Sequence, residues 1–256
     1  MAKTISIVNQ KGGVGKTTTA VNLTAALGAA GIKVLMVDID PQGNSTSGFG
    51  IDKRSLESSA YEVIINGEPA KNAIIHTEFE NVDLLPANMN LAGAELELVD
   101  IPNRETRLKA ALAPLYDEYD FMFLDCPPSL GLITLNALTA SDSFMVPIQC
   151  EYYALEGLSQ LMATVRQIKK LYNPYIELEG VILTMYDGRL NLTQQVVTEV
   201  KKYFPNKVFS TVIPRNVRLS EAPSFGQPVY YYDRASKGSK AYESLAKELI
   251  QHNIKR

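Results

Sequence analysis

The chain has 256 residues, with 25 Lys and Arg against 28 Asp and Glu, 46% hydrophobic and 21% charged. That profile excludes a disordered or fibrous chain and leaves ample length to bury a core without disulfides or a structural metal. Charge divides unevenly: residues 1–150 carry 10 basic and 18 acidic side chains, net −8, whereas residues 151–256 carry 15 and 10, net +5. Such a split can turn one face of the carboxyl-terminal half towards an anionic partner, although overall acidity argues against a strongly basic coat.

In chain order, a strand over Thr4–Val8 leads into a helix over Gly15–Ala30, and a strand over Lys33–Asp38 follows. Residues 41–80 form a long excursion opened by Pro41, Gly43, Gly48 and Gly50, a composition suited to a mobile loop. A strand at Val82–Leu85 precedes helices at Asn90–Val99 and Asn103–Tyr116. Strands at Tyr119–Asp125, Ser143–Ile148, Leu178–Thr184 and Lys207–Ile213 then alternate with helices at Leu132–Ala140, Ala154–Tyr172, Asn191–Tyr203 and Ser236–Asn253. This alternation predicts one α/β domain over residues 1–256, a three-layer α/β/α sandwich around a mainly parallel twisted sheet.

No apolar run approaches the ~20 residues needed to cross a bilayer, and Met1–Val8 lacks the pattern of a signal peptide. Cys126 and Cys150 lie 24 residues apart, and with only His76 and His252 beside them no zinc-type cluster forms. Buried, reduced thiols in a cytoplasmic protein are the expected reading.

The most informative stretch follows the first strand: Asn9-Gln10-Lys11-Gly12-Gly13-Val14-Gly15-Lys16-Thr17-Thr18. Glycines let consecutive N–H groups curl around phosphate oxygens, and the following helix aims its positive end at the same anion. Lys16 then reaches the β- and γ-phosphates and the Thr17 hydroxyl ligates Mg²⁺. The strict pattern places a glycine at position 10, where this chain has Gln10. Lys11 is a second cation beside a site that Lys16 already serves.

Two further motifs sit at strand ends. In Val37-Asp38-Ile39-Asp40-Pro41-Gln42-Gly43-Asn44, two carboxylates at alternate positions share one side of the strand. They are either a solvated strand end or, beside a phosphate loop, groups that orient the attacking water and the shell of the metal. Phe121-Met122-Phe123-Leu124-Asp125 has the form of a Walker B strand whose Asp125 holds the Mg²⁺ shell.

Lys11 to Thr17 resembles the deviant Walker A motif, Lys-Gly-Gly-x-Gly-Lys-Thr, of the ParA/MinD superfamily. Asp40 to Asn44, Asp125 to Ser129, Pro147 to Gly157 and Ile213 to Pro223 resemble its chromosomal ParA/Soj partition ATPases, so the likeness runs nearly end to end. The resemblance implies that Lys11 reaches across a nucleotide-sandwich homodimer, that Asp40 serves hydrolysis, and that Pro214 and Asn216 border the adenine. It implies ATP and Mg²⁺ as cofactors, slow partner-stimulated turnover, and a ParB/Spo0J-type partner. It also implies nonspecific binding to double-stranded DNA through Arg189 and Arg218, and hence a nucleoid-associated protein. Lys201, Lys202 and Lys207 stand nearby, either as further phosphate contacts or as solvated charges. MinD-like relatives end in an amphipathic membrane helix, but Gln251–Arg256 has too little apolar face for that, so no membrane role is expected. The same ATPase cycle could position another cargo, and a metabolic P-loop kinase or ligase is the rival from a different class.

Overall fold

The computed structural model describes residues 1–151 and 154–253, with only the backbone of 154–156; Tyr152 and Tyr153 of the Pro147–Gly157 motif and the last three residues lie outside it. Seven strands form one sheet: β1 (Lys3–Ile7), β2 (Val34–Asp38), β3 (Ile75–His76), β4 (Val82–Leu85), β5 (Phe121–Asp125), β6 (Ser143–Gln149) and β7 (Glu177–Thr184). Their order is β3-β4-β2-β5-β1-β6-β7, parallel throughout except for the short edge pair β3–β4. Helices α1 (Lys16–Ala29), α2 (Asn44–Gly48), α3 (Ala70–Ala73), α4 (Ala94–Glu97), α5 (Arg107–Leu112) and α6 (Leu132–Ala140) come from the first half. The second half supplies α7 (Ala154–Leu171), α8 (Asn191–Tyr203), α9 (Val217–Glu221), α10 (Val229–Tyr232) and α11 (Lys237–Asn253).

The two-residue period of the strands divides the core. Ile5, Ile7, Met36, Phe121 and Phe123 point to one face, where α1 and α11 cover them with Leu23, Leu27, Tyr242, Leu245 and Leu249. Leu35, Val37, Met122, Leu124 and Val146 point to the other, against Leu108, Leu112, Ile133, Leu161 and Val200 of α5 to α8. Strands covered on both faces read as near-continuous apolar runs, as these do. The parallel layered architecture expected from the sequence is therefore present.

Three local expectations differ. Lys207–Ile213 is not a strand: it meets β7 at the isolated bridge of Val181 with Val208 and again where the Ile213 N–H donates to the Leu183 carbonyl (2.8 Å), without a continuous ladder between. The Phe209 ring occupies the space beside Gly180, and Glu248 of α11 accepts from the N–H groups of Ser210 (2.7 Å) and Thr211 (3.0 Å). Those donors are thus withdrawn from any ladder. The helices expected over Asn90–Val99 and Asn103–Tyr116 are broken by Gly93 and Pro114 into α4, α5 and 3₁₀ turns. The excursion over 41–80 holds α2, a π turn, α3 and β3 rather than one extended loop, with Ala60, Val63 and Ile64 buried.

Candidate nucleotide site

Sheet order brings the chemistry together. β5 lies between β1 and β2, and its register pairs Asp125 with Ile7 on one side and Asp38 on the other. The carboxyl ends of three adjacent strands therefore present the glycine loop, Asp125 and Asp38 in a row, where open α/β sheets hold their ligands.

The loop between β1 and α1 is built by specific bonds. Asn9 Nδ2 donates to the Pro147 carbonyl (2.8 Å), and Asn9 Oδ1 accepts from the Lys11 N–H (3.0 Å). Gly13 (φ 72°) and Gly15 (φ 90°) take left-handed conformations that a side chain would strain. Thr184, the last residue of β7, braces the loop by donating its hydroxyl to the Val14 carbonyl (2.8 Å). Gly12 and Gly13 are exposed and Val14 is buried. No side chain caps α1 and no acid stands in its first turn, so the amides around Lys16, Thr17 and Thr18 are left for an anion.

Lys16 lies inside this loop: its ammonium donates to the Lys11 carbonyl (3.2 Å) and only 7% of the residue is exposed. Burial lowers its pKa, while Asp125 and Asp40 pull in the opposite direction. Lys11 lies outside it, half-exposed, its ammonium 2.8 Å from Glu151 Oε2. The other Glu151 oxygen accepts from Gln149. The two lysines thus occupy different environments.

Three buried carboxylates complete the site. Asp125 Oδ2 accepts from Ser45 Oγ (2.8 Å), and the nearby Thr17 side chain works against the rise of the carboxyl pKa. Asp125 Oδ1 is buried with no partner. Burial first, and then the neighbouring Asp38 charge, raise the pKa of Asp125; burial likewise raises that of Asp38. Asp38 Oδ2 accepts from both the N–H and the hydroxyl of Thr46 (2.8 Å each). Asp40, also buried, sits just past the strand, its N–H on Asp38 Oδ1 (3.2 Å) and its Oδ1 on the Gln42 N–H (2.9 Å). Neither acid is a solvated strand end.

An orphaned carboxylate oxygen among like charges, beside the Thr17 hydroxyl, fits a divalent cation. Among the described residues no three His, Cys, Asp or Glu side chains converge on a metal, so a cation here would fill most of its shell with hydroxyl, water or ligand oxygens. That donor set suits Mg²⁺, which keeps waters and phosphates in its shell.

On the rim, Pro214 bridges to Tyr186, and Asn216 caps α9 by accepting from the Arg218 N–H (3.0 Å). A cleft of about 290 Å³ opens beside Thr17 and Thr18, between α2 and residues 222–227. Arg189 and Arg218 are both exposed but ion-paired, Arg189 with Asp187 (2.6 Å) and Arg218 with Glu221 (2.7 Å) and Asp233 (3.2 Å). Lys201 is exposed near the end of α8, and Lys202 pairs there with Glu199. Cys126 and Cys150 are unbridged and buried, and burial raises both thiol pKa values. No helix among the described residues is long and apolar enough to cross a membrane. Sequence reasoning missed Glu151, Ser45, Thr46 and Thr184, whose roles depend on contacts across the fold.

A phosphate loop at the end of β1, a lysine folded into it, and buried acids at the ends of the next two strands across the sheet, β5 and β2, define a P-loop ATPase. The AAA domain family matches residues 2–178. The sporulation initiation inhibitor protein Soj of Bacillus subtilis is 58% identical over 249 residues, covering 97% of this chain and 98% of that one. The chromosome partitioning protein ParA of Myxococcus xanthus is 52% identical over 253 residues, 99% and 89% of the two chains. Cobyrinic acid a,c-diamide synthase of Mycobacterium smegmatis, solved with bound ADP and magnesium, superposes with a TM-score of 0.86 at 38% identity, covering 98% and 95%. The chain belongs to the ParA/MinD superfamily, in its Soj/ParA group of chromosome-partitioning ATPases.

Proposed function

We propose that this chain is an ATP-dependent dimerising switch, one ATPase domain over residues 1–256, that binds DNA without sequence preference and drives chromosome or plasmid segregation. The observation that carries the reading is the placement of Lys11. Lys16 already serves the chain's own loop, while Lys11 lies on the rim, half-exposed and restrained by a solvent-accessible carboxylate. An ammonium so placed is available to the triphosphate of a second copy.

ATP and Mg²⁺ are the cofactors. The amides of Gly12 to Thr18 cradle the phosphates and Lys16 neutralises them from within. Thr17 and Asp125 would hold the metal and its water shell. The chemistry magnesium supplies is neutralisation of charge on the β- and γ-phosphate oxygens. Asp40, buried beyond the end of β2, orients the attacking water. Pro214 and Asn216 border the base: with Asn216 Oδ1 committed to capping α9, its amide N–H₂ is left to donate.

Arg189 and Arg218, with Lys201 and Lys202 as neighbours, contact DNA phosphates, and pairing two copies doubles that surface. Hydrolysis dissolves the dimer and releases DNA, and a ParB-type protein accelerates that slow step. The protein then works in the cytoplasm, on the nucleoid and not at a membrane. The synthase named among its structural neighbours keeps a biosynthetic reading in view, but the relatives named for partitioning are more similar to this chain.

The test is DNA retention with ATP, ADP and no nucleotide across a salt series, beside size-exclusion of the wild type and Lys11→Ala. The reading expects ATP-dependent dimers and DNA binding in the wild type, both lost in Lys11→Ala while nucleotide still binds. Normal ATP dimers of Lys11→Ala, or DNA retention indifferent to nucleotide, overturns it. Arg189→Glu and Arg218→Glu should weaken DNA retention and leave dimers intact.

A further inference from the structure

We propose that Thr46 is a positioning residue for ATP hydrolysis, fixing Asp40 through Asp38. The inference rests on the reading of Asp40 as the water-orienting acid. Thr46 is wholly buried, and its hydroxyl is used in both directions. It donates to Asp38 Oδ2 (2.8 Å) and accepts from the Ala87 N–H (2.9 Å), while its own N–H donates to the same carboxylate oxygen (2.8 Å).

Asp38 passes this restraint on. Its second oxygen accepts from the Asp40 N–H (3.2 Å), so the backbone of Asp40 hangs from a carboxylate that Thr46 holds. Both oxygens of Asp38 are committed and the residue is fully buried, which makes it a strut rather than a group that meets water or phosphate. Ser45, the preceding residue, makes the matching bond to Asp125 (2.8 Å). One turn of helix therefore holds the acids at the ends of both β2 and β5. That turn is itself fixed, because Gly48 packs so closely on Val21 of α1 that an added Cβ would lie 3.0 Å from its side chain. The bond to Ala87 ties the arrangement to the connection leaving β4.

Groups that orient a reacting group through one intermediary commonly change activity 10–100-fold on removal without carrying the chemistry. Thr46→Val removes the hydroxyl and keeps both the N–H and the shape; Thr46→Ser restores the hydroxyl. The experiment is single-turnover ATP hydrolysis with Mg²⁺, counted per bound nucleotide so that unfolded protein contributes nothing, together with nucleotide affinity and Asp40→Ala as control. Thr46→Val should lower the rate about 10-fold or more. Its nucleotide affinity should move less than about 3-fold, and Thr46→Ser should recover most of the rate. If Thr46→Val does not fold, Asp38→Asn should show the same split, since it keeps the outline of the strut and weakens its acceptors.

A Thr46→Val rate within about 2-fold of wild type, or equal losses of rate and affinity, overturns the inference. Hydrolysis by Asp40→Ala at the wild-type rate overturns the reading beneath it. An inactive Asp40→Ala beside a fully active Thr46→Val defeats the positioning role alone.

Discussion

Asp125→Asn should stabilise the nucleotide-free protein while destroying its response to magnesium nucleotide. The carboxylate is fully buried, one oxygen has no partner, and burial and the adjacent Asp38 hold its pKa above the ordinary value. The sign follows directly: the folded state holds this proton more tightly than the unfolded state. The site therefore costs nothing below the unfolded carboxylate pKa, and stability falls as pH rises through the folded one. A buried carboxylate with one oxygen left unbonded costs several kcal/mol, and an amide with one unsatisfied donor gives back ~1–3 kcal/mol of that gain. A net gain of about 1–3 kcal/mol at pH 8 raises the Tm by roughly 3–9 °C for a chain of this size. Thermal melts at pH 8 and pH 4.5, with and without Mg²⁺–ATP, read all three effects. The variant should melt higher at pH 8, close to wild type at pH 4.5, and gain little from Mg²⁺–ATP. A variant that melts lower than wild type at pH 8, or whose advantage is independent of pH, refutes the reasoning.

Other expectations follow from packing and pairing. Gly28 lies where α1 crosses the turn before β4, and an added Cβ would sit 2.2 Å from the Glu80 carbonyl. Gly28→Ala should thus cost about 2 kcal/mol or more by denaturant melts, despite alanine's better helix propensity. Glu151→Gln releases Lys11 from an exposed pair worth up to about 1 kcal/mol in each of two protomers, so ATP-dependent dimers should form at up to roughly 30-fold lower concentration by analytical ultracentrifugation. Burial raises the Glu179 pKa, but hydrogen bonds from Lys3, Asn253 and Ser143 outweigh it and leave it low. Its contribution is present above the unfolded pKa and disappears as pH falls through the folded one. Glu179→Gln should therefore destabilise by about 1–3 kcal/mol at neutral pH and much less near pH 3.

Legibility in the sequence followed the range of the forces involved. The phosphate loop and the strands before it could be read because glycine conformations, an uncapped helix start and apolar runs are local signals. Asp38, Asp40 and Asp125 could be placed at strand ends, but their meeting depends on β5 lying between β1 and β2, which no local pattern encodes. Lys207–Ile213 has the composition of a strand, and it is Glu248 on α11 that takes the Ser210 and Thr211 donors and interrupts the ladder to β7. Ser45 and Thr46 look like ordinary small residues of a glycine-rich loop. Their hydroxyls gain meaning from partners 80 and 8 residues away. Glu151 could be read as part of a motif, but its pairing with Lys11 spans 140 residues.

The arginines assigned to DNA arrive with their own anions. Arg189 is bound to Asp187, and Arg218 to Glu221 and Asp233, so each positive charge is compensated from within the chain. A polyanion that takes over such an arginine evicts a tethered carboxylate rather than liberating all the small ions its own phosphate had condensed. The slope of log affinity against log salt should then fall short of the ~0.9 per neutralised phosphate expected of bare cations. Attachment of this kind would hold its strength across a wider range of cellular ionic conditions than a count of arginines suggests.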